Sequence, residues 1–84
     1  MKTIEMTNST DIEGVEEYKE LFWVPKVGEH RELGVWREAE GAYSYTFEIG
    51  GEHYATGFTT GQAAYEAGAA ALTSVAPDAV SEAA

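Results

Sequence analysis

Four closely spaced glutamates, Glu13, Glu16, Glu17 and Glu20, and two histidines that each follow a glutamate, His30 and His53, are the groupings in this chain that have chemistry to offer. A histidine beside a carboxylate suits acid–base catalysis or metal ligation, but either use needs the groups to converge, and no His-x-x-x-His spacing is present. There is no Gly-x-Ser-x-Gly elbow, and Gly57-Phe58-Thr59-Thr60-Gly61 lacks the lysine and the length of a phosphate-binding loop. The absence of cysteine excludes thiol nucleophiles, Cys-ligated zinc and a disulfide framework. The expectation is a non-enzymatic protein without metal or cofactor. The remaining enzymatic alternative would use His53 with Glu52.

The glutamates suggest binding. On a helix they fall at i, i+3, i+4 and i+7, on one face, with turn neighbours roughly 4.5–6 Å apart along the axis, a scale similar to that of phosphates on a nucleic-acid strand. Supplemented by Glu38, Glu40, Glu48, Glu52 and Glu66, such a row would imitate nucleic acid towards a basic groove; the plainer alternative is a solvated helix face. Whole-chain charge favours the first. Fifteen Asp+Glu against five Lys+Arg leave a net charge of −10 on 84 residues, beyond the magnitude of about 2–8 that solubility asks of a small domain. Halophilic adaptation would bring many aspartates, and only Asp11 and Asp78 are present. The same charge argues against bare nucleic acid or an anionic membrane as partner. Trp23 and Trp36 are either core residues or interface anchors.

These residues have to be positioned by few elements. A chain of 84 residues holds one core, so residues 1–84 are read as a single domain with an ordered part at about 9–75 and a frayed tail at 77–84. Ser9, Thr10 or Asp11 can cap an amphipathic helix running to Phe22, with Ile12, Val15, Tyr18 or Lys19, and Phe22 at helical spacing. Pro25 stops it, and Pro25 to Glu32 reads as a polar connection. Three strands follow. Leu33 to Glu38 is the first; Tyr43 to Ile49 is the second, in which Tyr43, Tyr45, Phe47 and Ile49 alternate with Ser44, Thr46 and Glu48; the third comes after Gly50-Gly51. A two-residue turn there pairs Phe47 with Tyr54, Tyr45 with Thr56 and Tyr43 with Phe58, placing these aromatics on one face. A closing helix begins at Thr59 or Thr60, where Thr59-x-x-Gln62 fits a capping box, and presents Tyr65, Gly68, Ala71, Leu72 and Val75 to the sheet. The fold class expected is therefore α+β: a helix, a three-stranded antiparallel sheet, and a C-terminal helix packed on the sheet.

That order, with the run from Tyr45 through Phe47, Gly50-Gly51 and His53-Tyr54 to Gly57, and a threonine-capped helix with Ala63-Ala64 and Ala69-Ala70-Ala71-Leu72, resembles a double-stranded RNA-binding domain over roughly Asp11 to Val75. The resemblance implies RNA contacts through lysines opening the last helix and a histidine in the first inter-strand loop. Here those places hold Thr60-Gly61-Gln62-Ala63-Ala64 and Glu38-Ala39-Glu40-Gly41-Ala42, so the contacts do not carry over. The strand-strand-helix part is likewise similar to the arm-type DNA-binding module of phage integrases, without its basic residues.

The function expected is that of an acidic binding protein that blocks a basic, nucleic-acid-handling surface on a partner through Glu13, Glu16, Glu17, Glu20, Glu38, Glu40, Trp23 and Trp36. In type this resembles the small phage-encoded inhibitors of host defence, anti-CRISPR proteins among them. The alternative is a protein–protein or homodimerisation module of RNA-binding-domain shape that binds no nucleic acid. No apolar stretch approaches the ~20 residues of a membrane span, and Met1 to Asp11 lacks the apolar core of a signal peptide, so a cytoplasmic setting is expected.

Overall fold

The computed structural model describes residues 2–82; Met1, Ala83 and Ala84 lie outside the described residues. The order of elements is β1 (Thr7–Asn8), β2 (Glu16–Val24), β3 (Glu29–Ala39), β4 (Ala42–Glu48), β5 (Glu52–Phe58), α1 (Gly61–Val75) and β6 (Val80–Glu82). The strands form one antiparallel sheet in the order β1-β2-β3-β4-β5, and β6 pairs with β2. The helix covers one face; on the other the loop 9–14 closes over Glu17, and no helix packs there among the described residues.

The expected first helix does not exist, and with it the helix-sheet-helix order is overturned. Gly14, at φ +82°, lies where a helix cannot continue, and from Glu16 the chain is extended. Ser9 does act locally as a cap would, since its hydroxyl accepts from the N–H groups of Asp11 and Ile12, both at 3.0 Å, but it closes a turn. Ile12 is exposed rather than buried. In β2 the period is two. Tyr18, Glu20, Phe22 and Val24 face the helix, while Glu17, Lys19, Leu21 and Trp23 face outward. A buried glutamate in the inward series broke the apolar alternation and hid the strand.

The connection shrinks to the turn Pro25–Gly28, where the N–H groups of Val27 and Gly28 both reach the Val24 carbonyl; β3 starts at Glu29, earlier than Leu33. The β4 strand lies where the alternation placed it. Its hairpin differs: Glu48 opposes Glu52 across three residues, Ile49 to Gly51, so Phe47 pairs with His53 and Tyr45 with Ala55. Tyr54 consequently faces outward. Tyr43 still opposes Phe58, because the register shifts at Gly57, whose φ of +95° suits glycine.

The core is Phe22, Val24, Leu33, Val35, Phe47, Ala64 and Tyr65. The helix settles closely on the sheet because Gly68 faces Tyr45 and Leu33; a Cβ at Gly68 would stand 2.9 Å from the Tyr45 Cγ. Thr60, not Thr59, is the N-cap, its hydroxyl accepting from the Ala63 N–H at 3.0 Å. Val75 is exposed, at the end of the face expected to be buried. Beyond Pro77 the chain re-enters the sheet as β6, its described residues pairing with Leu21, Phe22 and Trp23.

Candidate functional site

The helix-covered side holds one buried polar cluster. Glu20, only 6% exposed, accepts from the Tyr18 hydroxyl at 3.0 Å and the Tyr65 hydroxyl at 3.3 Å, and its carboxylate is ion-paired with Lys2. Burial by itself would raise its pKa, but Lys2, Tyr18 and Ser81 hold it below the ordinary value. Burial, then the Glu20 charge, pushes the Tyr65 hydroxyl up, so it stays a donor. The N-terminal segment is strapped across by Gln62, which accepts from the Ile4 N–H at 2.9 Å and donates to the Lys2 carbonyl at 2.8 Å. Every oxygen of Glu20 is committed to holding termini, strand and helix together, which is a structural role.

The acid row dissolves in the extended chain. Glu13 sits in the loop before β2, Glu16 pairs with Arg37 at 3.6 Å, and Glu17 and Glu20 are buried on opposite faces of the sheet. Glu17 is enclosed by the loop 9–14: its carboxylate accepts from the Thr10 N–H at 3.3 Å and lies 3.4 Å from the Lys19 ammonium, which also reaches Asp11. Glu40 is in the tight β3–β4 turn. Helical spacing cannot survive a strand in which neighbours point apart.

The same rule separates Glu52 from His53. Glu52 faces outward, whereas His53 stacks on Phe47 at 4.7 Å between centroids on the helix side, its Nε2 lying 3.2 Å from the Ile49 carbonyl oxygen. His30 is on the uncovered face, 5.0 Å from the Trp23 ring. Among the described residues no group of three His, Asp or Glu side chains could hold a metal ion. Two hollows flank the core. One of about 150 Å³ is bordered by Glu20, Tyr65 and Ser81; the other, about 480 Å³, is walled largely by Val24, Val27, Ile49 and Val75, with Lys26 and Asp78 its charged groups. In the smaller one the Ser81 hydroxyl lies beside the Glu20 carboxylate, whose oxygens already accept from Tyr18 and Tyr65 and pair with Lys2.

The uncovered face does bring binding groups together. Register places Lys19, Gly34, Thr46 and Tyr54 across one row and Glu17, Trp36, Ser44 and Thr56 across the next. The Trp36 indole leans over Gly34, and the Lys19 ammonium stands 5.4 Å from its ring centroid. Trp23 and Trp36 are both half-buried here, with Leu21 46% and Tyr54 52% exposed. Glu38 reaches across β4, accepting from Tyr54 at 2.6 Å, Ser44 at 3.2 Å and Thr56 at 3.3 Å; these hydroxyls, Tyr54 foremost, lower its pKa. Glu48 and Glu52 stand directly opposite each other. Glu48 and Glu52, expected from sequence only as supplements to the acid row, stand on this face, and Tyr54, which was not among the expected site residues, joins them through the true register.

The class defined by this geometry is a small acidic antiparallel sheet with one face covered by a single helix and one face open. Comparison with protein-family models, curated proteins and solved structures gives no match. Among the described residues no helix is long and apolar enough to cross a membrane.

Proposed function

We propose that this chain is a non-enzymatic binding protein that lays its uncovered sheet face on a basic surface of a partner protein, of the kind that handles nucleic acid, and blocks it. The observation that carries the reading is the composition of that face. Trp23, Trp36, Leu21 and Tyr54 supply apolar and aromatic contact, while Glu32, Glu38, Glu48 and Glu52 surround them. Lys19, the one Lys or Arg of that face among the described residues, is engaged with Asp11 and Glu17. Tryptophan anchors inside an acidic surround suit a cationic partner surface that is itself desolvated on binding. Of the residues expected from sequence, Trp23, Trp36 and Glu38 remain in the interface; Glu13, Glu16, Glu17, Glu20 and Glu40 leave it. A cysteine-free chain is compatible with a reducing, cytoplasmic setting.

The test is competition. Purified nucleic-acid-binding enzymes with basic grooves are titrated with the protein while bound to labelled DNA or RNA. Release of the nucleic acid that weakens with added salt and with Trp36→Ala supports the reading. Failure to displace or bind any of them at low ionic strength, or salt-insensitive self-association through the tryptophans, overturns it.

A further inference from the structure

The two edges of the sheet are treated differently. On the β2 side, chain from both ends of the molecule closes the edge: β1 pairs with Glu16 and Glu17, and β6 with Leu21, Phe22 and Trp23. On the other side β5 is the last strand, and no described residue pairs with its outer edge. An edge strand turns half of its backbone N–H and C=O groups away from the sheet, and proteins ordinarily blunt such an edge with lysine, proline, a bulge or a cover. From His53 to Thr56 the strand has none of these; its bulge is at Gly57, at the far end.

The charge beside this edge selects what would pair with it. Glu52 lies on β5 itself, Glu48 directly opposite on β4, and neither has a cation within ion-pair distance among the described residues. The Glu38 carboxylate is drawn to the same strand by Tyr54 and Thr56. Like charges opposite each other are unfavourable in an isolated sheet and become favourable once a cation stands beside them. On the helix side the neighbours of an added strand would be Ala55 and His53, which are half-buried and uncharged or weakly basic.

We propose that β5 is the docking edge for an extended segment of a basic partner, which adds a strand to the sheet with Lys or Arg on the uncovered face and apolar residues on the helix side. The inference rests on the reading that the partner is basic and names how part of it is held. Backbone hydrogen bonds would supply affinity, and the alternation of side chains the selectivity. A second copy of this chain is a poor occupant, because each brings a charge of −10.

The probe is a short peptide alternating lysine and valine, with a glutamate–valine peptide as control, added to the isotope-labelled full chain. Backbone amide exchange and chemical shifts are then followed by NMR. Expected are slowed exchange, by about tenfold or more, in alternate amides of residues 53–57 with the lysine peptide only, and loss of that protection in the Glu48→Lys, Glu52→Lys double variant. Shifts confined to the Trp23 and Trp36 side with unchanged β5 exchange would overturn strand addition and leave the basic-partner reading standing. Absence of any response at low ionic strength would overturn both. A β5 edge already protected by self-pairing without peptide would overturn the assignment of its occupant.

Discussion

The Tyr65 hydroxyl donates to the Glu20 carboxylate at 3.3 Å, tying the N-terminal half of α1 to the inner face of β2 across 45 positions of sequence. The bond matters because Glu20 is a charge placed in the core, and a buried carboxylate is tolerated only when donors surround it.

Removing that donor should therefore cost more than an ordinary surface hydroxyl. Tyr65→Phe is expected to lower unfolding free energy by about 1–2 kcal/mol without changing the fold, read as a shifted urea midpoint at constant slope.

The cluster also sets a pH dependence. Glu20 has its pKa depressed from 4.5 when folded, so its contribution is present above that value and is lost as pH falls through the lower, folded value. Lys2 is raised from 10.5, chiefly by Glu20, so its share is present below 10.5 and lost at higher alkalinity. Other carboxylates repel one another in this acidic chain, so the useful quantity is a difference. The stability gap between the native chain and Glu20→Gln should be constant near neutrality and shrink as pH drops below about 4.5, measured by urea unfolding across pH.

Gly68→Ala tests the closeness of helix and sheet. Alanine favours a helix by up to about 1 kcal/mol over glycine, yet the added methyl would meet Tyr45 at 2.9 Å and Leu33 at 3.1 Å. Overpacking should win, with a net loss of roughly 1–2 kcal/mol in thermal or urea unfolding.

Glu48→Lys tests whether stability has been traded for charge on the open face. Converting the Glu48–Glu52 repulsion into an attraction should stabilise the isolated protein by about 0.2–1 kcal/mol, an effect that fades with salt. The same variant should lose affinity for a basic partner, measured by titration at low ionic strength.

Elements whose burial follows local pattern were legible. The alternation of Tyr43, Tyr45 and Phe47 marks a strand with an aromatic inner face, and the alanine-rich segment with a threonine before it marks the helix. The strand β2 was not, because Glu20 occupies an inward position that becomes acceptable only through Lys2, Tyr18 and Tyr65. Read without those partners, Glu13, Glu16, Glu17 and Glu20 have helical spacing. The pairing of Val80 to Glu82 was not legible either, because its partner is β2, a strand some sixty positions earlier that local spacing does not show.

By itself, then, the sequence determined the sign of the charge, the absence of cysteine chemistry, the β4–β5 hairpin and the C-terminal helix, since each follows from residue type or short-range spacing. Tertiary structure decided which carboxylates are available. Two of the four clustered glutamates are buried on opposite faces of one strand, while Glu38, Glu48 and Glu52, distant from that cluster, gather with Trp23, Trp36 and Tyr54 on the face the helix leaves open. The physical reason is that a strand sends neighbouring side chains to opposite faces. Register with other strands, set by a three-residue turn and a glycine bulge, then determines which of them meet.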